Sequence, residues 1–186
     1  MTRSLIYSMG PSLDGFIAGP GGDIDFTAPD EELFRFHIEQ VRELGVHLLG
    51  RRLYETMVYW ETADRDPAAS DSFVEFARIW QALPKIVFST TLERVEGNTT
   101  LERDGLADVA ARLKAQDGKD VAVGGAGLAA SLSQLGLIDE YRLFVYPVVR
   151  GGGTPFFSEL DEPIPLELIE TRTFGSRVVY LRYRRA

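Results

Sequence analysis

Cysteine is absent from the 186 residues, which excludes disulfides, a thiolate nucleophile and iron–sulfur or zinc–thiolate centres. Histidine is nearly absent: His37 and His47 are the only two, and their separation of ten matches no metal-ligand spacing. No metal is expected. Also missing is any apolar run of membrane-spanning length, and the polar start Met1-Thr2-Arg3-Ser4 lacks the apolar stretch of a secretory signal. The expected location is the cytoplasm, with no membrane partner. Positive charge is in deficit, with 20 Lys and Arg against 28 Asp and Glu and a formal net charge of −8. A nucleic-acid surface needs clustered basic residues, so none is expected, and an anionic ligand has to be met by local positive charge. There is no internal repeat and no low-complexity segment.

What is present is an ordinary globular balance, 45% hydrophobic and 26% charged, of a length that suits one domain over residues 1–186. Periodicity predicts a strand over 3–9 and a long Gly/Pro-rich loop over 10–22 with the turn signal Asp14-Gly15. Pro29-Asp30-Glu31-Glu32 opens a helix to about Leu44, with Leu33, Phe34, Ile38, Val41 and Leu44 at helical spacing. Then come a strand over 46–49, a helix from Arg51, a polar linker over 62–72, a helix over about 71–82 and a strand over 86–89. A short strand over 99–102, a helix over about 105–115, a strand over 121–123 and a helix over 128–135 follow. Alternating strands and helices predict an α/β sheet with parallel strands. The ending differs. A nearly continuous apolar strand over 141–149 breaks at Gly151-Gly152-Gly153, and 165–173 with 178–184 read as an antiparallel hairpin around Gly175.

Three strand ends carry phosphate chemistry. In Val121-Ala-Val-Gly-Gly-Ala-Gly127 a short apolar strand runs through glycines into a helix, whose free N–H groups and positive dipole end would face an anion. A plain tight turn uses glycines in the same way. In Leu48-Leu-Gly-Arg-Arg-Leu-Tyr-Glu55 two arginines open a helix, against the dipole's preference, a conflict that a bound anion resolves. In Lys85-Ile-Val-Phe-Ser-Thr-Thr91 a strand ends in three hydroxyls with Arg94 close behind, which suits a phosphate monoester. Together they fit a ligand with several phosphates lying across the carboxyl edge of a parallel sheet.

With these segments in order, the chain resembles the dihydrofolate reductase-like superfamily, and most closely the reductase (C-terminal) domain of bifunctional riboflavin-biosynthesis deaminase-reductases. The resemblance spans essentially the whole length. It is carried by Ser12-Leu-Asp-Gly-Phe-Ile-Ala18, Leu49-Gly-Arg-Arg-Leu-Tyr-Glu55, Ile86-Val-Phe-Ser-Thr90, Val123-Gly-Gly-Ala-Gly127, and Leu137-Ile-Asp-Glu-Tyr-Arg-Leu-Phe-Val-Tyr-Pro-Val-Val149 with Pro155-Phe-Phe157. It implies a three-layer α/β/α fold with a mostly parallel central sheet and a C-terminal antiparallel hairpin. It also implies NADPH and hydride transfer to a C=N or C=O of a heterocyclic or ribityl-type small molecule.

Site residues follow from the same resemblance. Gly124, Gly125 and Gly127, with the N–H groups of Ala126 and Leu128, are expected at the pyrophosphate beside Gly50. Arg51, Arg52, Ser89 and Thr90 are expected at the adenosine 2′-phosphate and neighbouring phosphate oxygens, and Ile17 and Ala18 around the nicotinamide. The family often has threonine where this chain has Leu53, and the zinc deaminase half is missing. For proton supply or substrate anchoring, alignment on Phe36 singles out Glu32, with Asp25 as rival; Asp14 either supports the loop or starts its turn. Alternatives to a riboflavin-type reductase are a true dihydrofolate reductase and a non-catalytic nucleotide-binding module. The apolar C-terminal strands, and the habit of riboflavin-type reductase domains, lead to the expectation of a homodimer.

Overall fold

A computed structural model describes residues 2–186. Its strands are β1 (Leu5–Met9), β2 (Phe16–Ala18), β3 (Leu44–Gly50), β4 (Lys85–Phe88), β5 (Thr99–Glu102), β6 (Asp120–Gly124), β7 (Glu140–Val145), β8 (Thr154–Pro155), β9 (Leu166–Thr173) and β10 (Val179–Arg185). The helices are α1 (Glu31–Arg42), α2 (Arg51–Met57), α3 (Asp71–Ala82), α4 (Leu106–Lys114) and α5 (Ala126–Gln134), with short 3-10 turns at Asp25–Thr27, Val58–Glu61 and Ala63–Arg65. Among the described residues no helix is long and apolar enough to cross a membrane.

Eight strands form one sheet in the order β5-β4-β3-β6-β1-β7-β10-β9. The first six are mutually parallel, while β10 pairs antiparallel with both β7 and β9. This is the expected mostly parallel sheet with its closing hairpin. Apolar residues two apart on a strand share a face, and successive residues feed opposite faces. Leu5, Tyr7, Val46, Leu48, Val121 and Val123 pack on one side with Ala129 and Leu132 of α5 and Val109 and Leu113 of α4. Leu49 and Val87 pack on the other with Phe34 and Ile38 of α1 and Phe76 and Trp80 of α3. The crossover from β1 leaves in one direction and that from β6 in the other, which makes the carboxyl ends of these two neighbours the topological switch point, where α/β sheets bind ligands.

Several boundaries differ from expectation. The strand predicted over 141–149 ends at Val145, because beyond it the chain turns to bridge Ser12 through Tyr146. Within the predicted loop, β2 pairs with β8 as a separate two-stranded sheet. In the hairpin the left-handed position is taken by Arg177 (φ 67°), not by Gly175.

The amino ends of the strands are closed by charged groups. Asp120 and Asp139, at the starts of β6 and β7, each accept a 2.8 Å bond from the backbone N–H of Ser4 and Leu5. Lys114 reaches Asp139 at 2.7 Å. Glu140, nearly buried, accepts two 2.8 Å bonds from Arg182 and two, of 3.0 and 3.2 Å, from Arg142. Burial pushes its carboxyl up, but the two guanidiniums outweigh this and hold it below the usual range.

Candidate functional site

At the carboxyl edge the strands end in register: Leu49 lies opposite Gly124, Gly50 opposite Phe88, and Phe88 opposite Glu102. Arg51, Ser89 and Arg103 are the next residues along the chain after Gly50, Phe88 and Glu102. Two hydrogen bonds fasten Ser89 to the end of β5: Ser89 N–H donates to Glu102 O, and Arg103 donates to Ser89 O, each at 3.0 Å. Three of the four strand ends carry the expected chemistry. The fourth, Arg103, was not anticipated from the sequence, although its place directly after the strand over 99–102 was a signal.

Gly125 has φ +105°, a conformation that side chains rarely adopt, and a Cβ there would stand 3.6 Å from the Gly50 backbone, so the turns after β6 and β3 touch. Both helices that follow begin without a side-chain cap. By contrast, Asp30 caps α1 at 2.9 Å and Ser70 caps α3 at 3.3 Å. The first N–H groups of α5, on Ala126, Gly127 and Leu128, therefore have no intrahelical partner, and an atom added at Gly127 meets nothing within 4 Å.

Gly124 was expected at the pyrophosphate for the same reason as its neighbours, but the structure gives it another constraint. A Cβ there would run into Leu53 and stand 2.9 Å from His47 Nε2, so this glycine is required by packing beneath the turn. Leu53, in place of the family threonine, closes over it and joins the apolar cluster of α1 and α3.

The two arginines have different surroundings. Arg51 donates to Glu55 at 3.2 Å and opens α2 directly after Gly50, the partner of Phe88. Arg52 makes no ion pair among the described residues. With Glu55 and Thr56 it lines an open cleft of about 800 Å³, whose opposite wall is Gly19-Pro20-Gly21-Gly22 with Gly153 and Thr154. The Ser89 hydroxyl accepts from the N–H groups of Thr91 and Leu92 at 3.2 and 3.1 Å, which fixes the turn after β4, and Thr90 is exposed on it.

The cleft's loop wall is stitched to a second loop. Asp14 accepts from the backbone N–H of Arg150 at 3.0 Å and of Gly151 at 2.7 Å and from the Ser12 hydroxyl at 2.7 Å. The Arg150 N–H, followed by the Ser12 hydroxyl, holds its carboxyl down at about 2. The Arg150 guanidinium grips both oxygens of Asp23 at 2.7 and 2.9 Å and lies 5.1 Å from the Phe26 ring centre. Gly153 leaves no space for a side chain, since a Cβ there would collide with the Ala18 carbonyl oxygen. Ile17 faces inward into the core cluster. Asp14 thus both starts its turn and secures the loop; Arg150 was missed in the sequence.

Glu32 has partners other than those a substrate-facing acid needs. One oxygen accepts from Arg172 at 2.9 Å and the other from the Gly175 N–H at 3.0 Å. The Gly175 N–H first, and Arg172 second, keep its carboxyl below the usual range. Phe36, used to single it out, packs on Phe144, Phe174 and Tyr180. Asp25 lies exposed in the 3-10 turn before α1. Phe34 stacks on Trp60, and Phe76 packs against both, tilted to Phe34 and edge-on to Trp60. Among the described residues there is no cluster of metal-ligating side chains.

The sheet order and the glycine turns give the chain a dihydrofolate reductase-like fold. Residues 3–180 match the RibD C-terminal domain family, and the chain belongs to it. It is 32% identical over 183 residues to the uncharacterized protein YyaP of Bacillus subtilis strain 168, covering 97% of this chain and 94% of that one. A putative riboflavin biosynthesis protein of Shewanella sp. PV-4 superposes with a TM-score of 0.77 at 22% identity, covering 99% of both chains. Dihydrofolate reductase from Enterococcus faecalis, a structure complexed with NADP(H), superposes with a TM-score of 0.62 at 16% identity, covering 100% of this chain and 99% of that one.

Proposed function

We propose that this chain is an NADPH-dependent reductase that transfers hydride to a small heterocyclic or ribosylamine-type substrate, of the kind acted on by 5-amino-6-(5-phosphoribosylamino)uracil reductases. The observation that carries the reading is the carboxyl-edge row, in which the uncapped turn at Gly125 touches Gly50 and basic and hydroxyl groups continue along the edge. This donor set fits a dinucleotide. It offers backbone N–H groups and open space at Ala126, Gly127 and Leu128 for a diphosphate, and Arg51, Ser89 and Thr90 for a phosphate monoester.

When bound, NADPH supplies the hydride. The chain's own residues bind and orient it. Arg52 meets the diphosphate region from α2, and the stitched loop with Ile17 and Ala18 walls the nicotinamide end and excludes water. In this reading Glu32 is a positioning residue that fastens α1 to the hairpin, because both of its oxygens are already engaged. The whole chain acts as one domain in the cytoplasm.

We further propose a homodimer formed through the C-terminal strands. Leu143, Val145, Val179, Leu181, Tyr183 and Leu168 share the sheet face opposite the Phe144–Tyr180 cluster. Leu168 is 50% exposed on β9, a strand whose outer edge is unpaired. A two-fold pairing covers both. Light scattering should give twice the chain mass; a single-chain particle at micromolar concentration would overturn the assembly.

The enzymatic reading is tested by following NADPH oxidation with the pyrimidine ribosylamine substrate against dihydrofolate. Turnover of the first alone is expected. Turnover of dihydrofolate alone would make the chain a dihydrofolate reductase, and NADPH binding with neither turned over would leave a nucleotide-binding module.

A further inference from the structure

The sheet face that packs on α1 and α3 changes character along its strands. Leu49, Val87 and Leu101 lie opposite one another on β3, β4 and β5 and join the apolar cluster there. Two residues nearer the amino ends, the same face carries His47, Lys85 and Thr99, again in register. Covered parallel strands are ordinarily apolar throughout, yet this polar row meets Trp80, 1% exposed on α3, and Glu61, whose side chain is 8% exposed at the end of the Val58–Glu61 turn. Charge is settled within the chain. The Lys85 ammonium donates to the Trp80 and Leu83 carbonyls at 2.7 and 3.0 Å and pairs with Glu61 Oε1 at 3.1 Å. Hydrogen bonding is not. Among the described residues, the buried atoms His47 Nδ1, Glu61 Oε1, Trp80 Nε1 and Thr99 Oγ1 have no hydrogen-bond partner. All four side chains gather around Lys85: its Nζ lies 5.0 Å from the Trp80 ring centre, the His47 ring meets Trp80 edge-on at 5.6 Å, and His47 and Thr99 are its neighbours across the sheet.

We propose that His47, Glu61, Trp80 and Thr99 form an internal hydration site, in which bound water joins the amino half of β3–β5 to α3 and the Val58–Glu61 turn. Buried polar groups are almost always bonded, and where protein partners fail, water takes their place. The chemistry of the set selects the ligand. Lys85 and Glu61 already cancel one another, so an ion of either sign is disfavoured there. The indole only donates, the carboxylate only accepts, and the threonine hydroxyl and a neutral imidazole can do either. A small neutral molecule that both donates and accepts matches all four, and that molecule is water. With its Nδ1 so held, the imidazole becomes a fixed floor beneath the glycine turn, where a Cβ at Gly124 would come within 2.9 Å of His47 Nε2. The site is independent of which ligand the carboxyl edge takes.

The test uses the full chain. In the wild type, rotating-frame NMR should give a water cross-peak of dipolar sign at the Trp80 indole N–H, which separates a long-lived bound water from simple proton exchange. A high-resolution crystal structure should place solvent density within hydrogen-bonding distance of Trp80 Nε1 and of at least one of the other three atoms. Thr99→Val and His47→Phe each remove one partner while keeping its approximate shape, and each is expected to weaken the cross-peak by roughly twofold or more. A wild-type indole with no such cross-peak, or a crystal in which Trp80 Nε1 donates directly to His47 with no solvent between them, overturns the site. A cross-peak that both variants leave at full strength also overturns it, because the water would then be held by other groups. Should either variant fail to fold, the two wild-type measurements decide the matter alone.

Discussion

The two ends of the same sheet are built on opposite principles. At the amino ends, backbone donors and buried charges are closed off by partners within the chain: Asp120 and Asp139 take the N–H groups of Ser4 and Leu5, and Glu140 takes two arginines. At the carboxyl ends the chain leaves groups open, with α2 and α5 uncapped by side chains, Arg52 and Arg103 without ion pairs among the described residues, and Gly127 facing free space. One end satisfies itself and the other leaves its groups open. Stability and binding should therefore respond to different substitutions.

The largest expected effect is at the closed end. Glu140→Ala strands two partly buried guanidiniums, which destabilises by about 3–5 kcal/mol, while NADPH affinity measured below the unfolding transition stays at the wild-type value. Urea denaturation paired with titration checks this, and a matching loss of affinity would break the comparison. Next comes the acid limb. Burial holds His37 and His47 down at about 4, with Lys85 adding to the effect at His47. Unfolded histidine titrates near 6.5, so between these values the unfolded chain binds more protons than the folded one. The stabilisation is full above about pH 6.5 and is lost as pH falls towards 4, by up to about 3 kcal/mol per imidazole. His47→Leu should flatten that slope in urea melts run across pH 4–7; an unchanged slope would show that His47 does not titrate in this window.

At the open end the effects are smaller in stability and larger in binding. Gly153→Ala forces a methyl group against the Ala18 carbonyl at φ +131°. A loss of about 1–3 kcal/mol with weakened NADPH binding is expected, because the cleft wall moves; stability lost with affinity retained would detach the loop from the site. The smallest change sharpens the contrast between caps. Asp30→Ala removes the carboxylate that accepts the Leu33 N–H, at about 1 kcal/mol, and leaves cofactor titration untouched.

The parts of this architecture that could be read from the sequence are those with strong local signatures. The apolar strands at β3, β4 and β6, the acidic start of α1 and the glycine turn at Gly125 each announce themselves through periodicity or residue type. Other parts depend on what lies across space. The strand β2 spans three residues among glycines and pairs with a two-residue strand some 140 positions on, too short for any alternation to register. Gly124 and Gly125 are neighbours of the same type, yet one makes room for Leu53 and the other adopts a left-handed turn, a difference that appears only once α2 is in place. Glu32 has the character of a first-turn helix acid, and nothing local says that Arg172 and Gly175, far along the chain, arrive to engage it.

The stitch between the two loops sets a rule for anyone who would re-engineer this protein. A side chain at Gly19 would push on the Arg150–Asp23 pair, and Gly153 has no room for one beside Ala18; Asp14 and Arg150 hold complementary halves of one fastening. The segments 10–27 and 147–157 are therefore a single exchangeable module interrupted by more than a hundred residues. A graft that moves one of them from a relative without its counterpart joins mismatched halves, whereas moving both together carries the fastening intact.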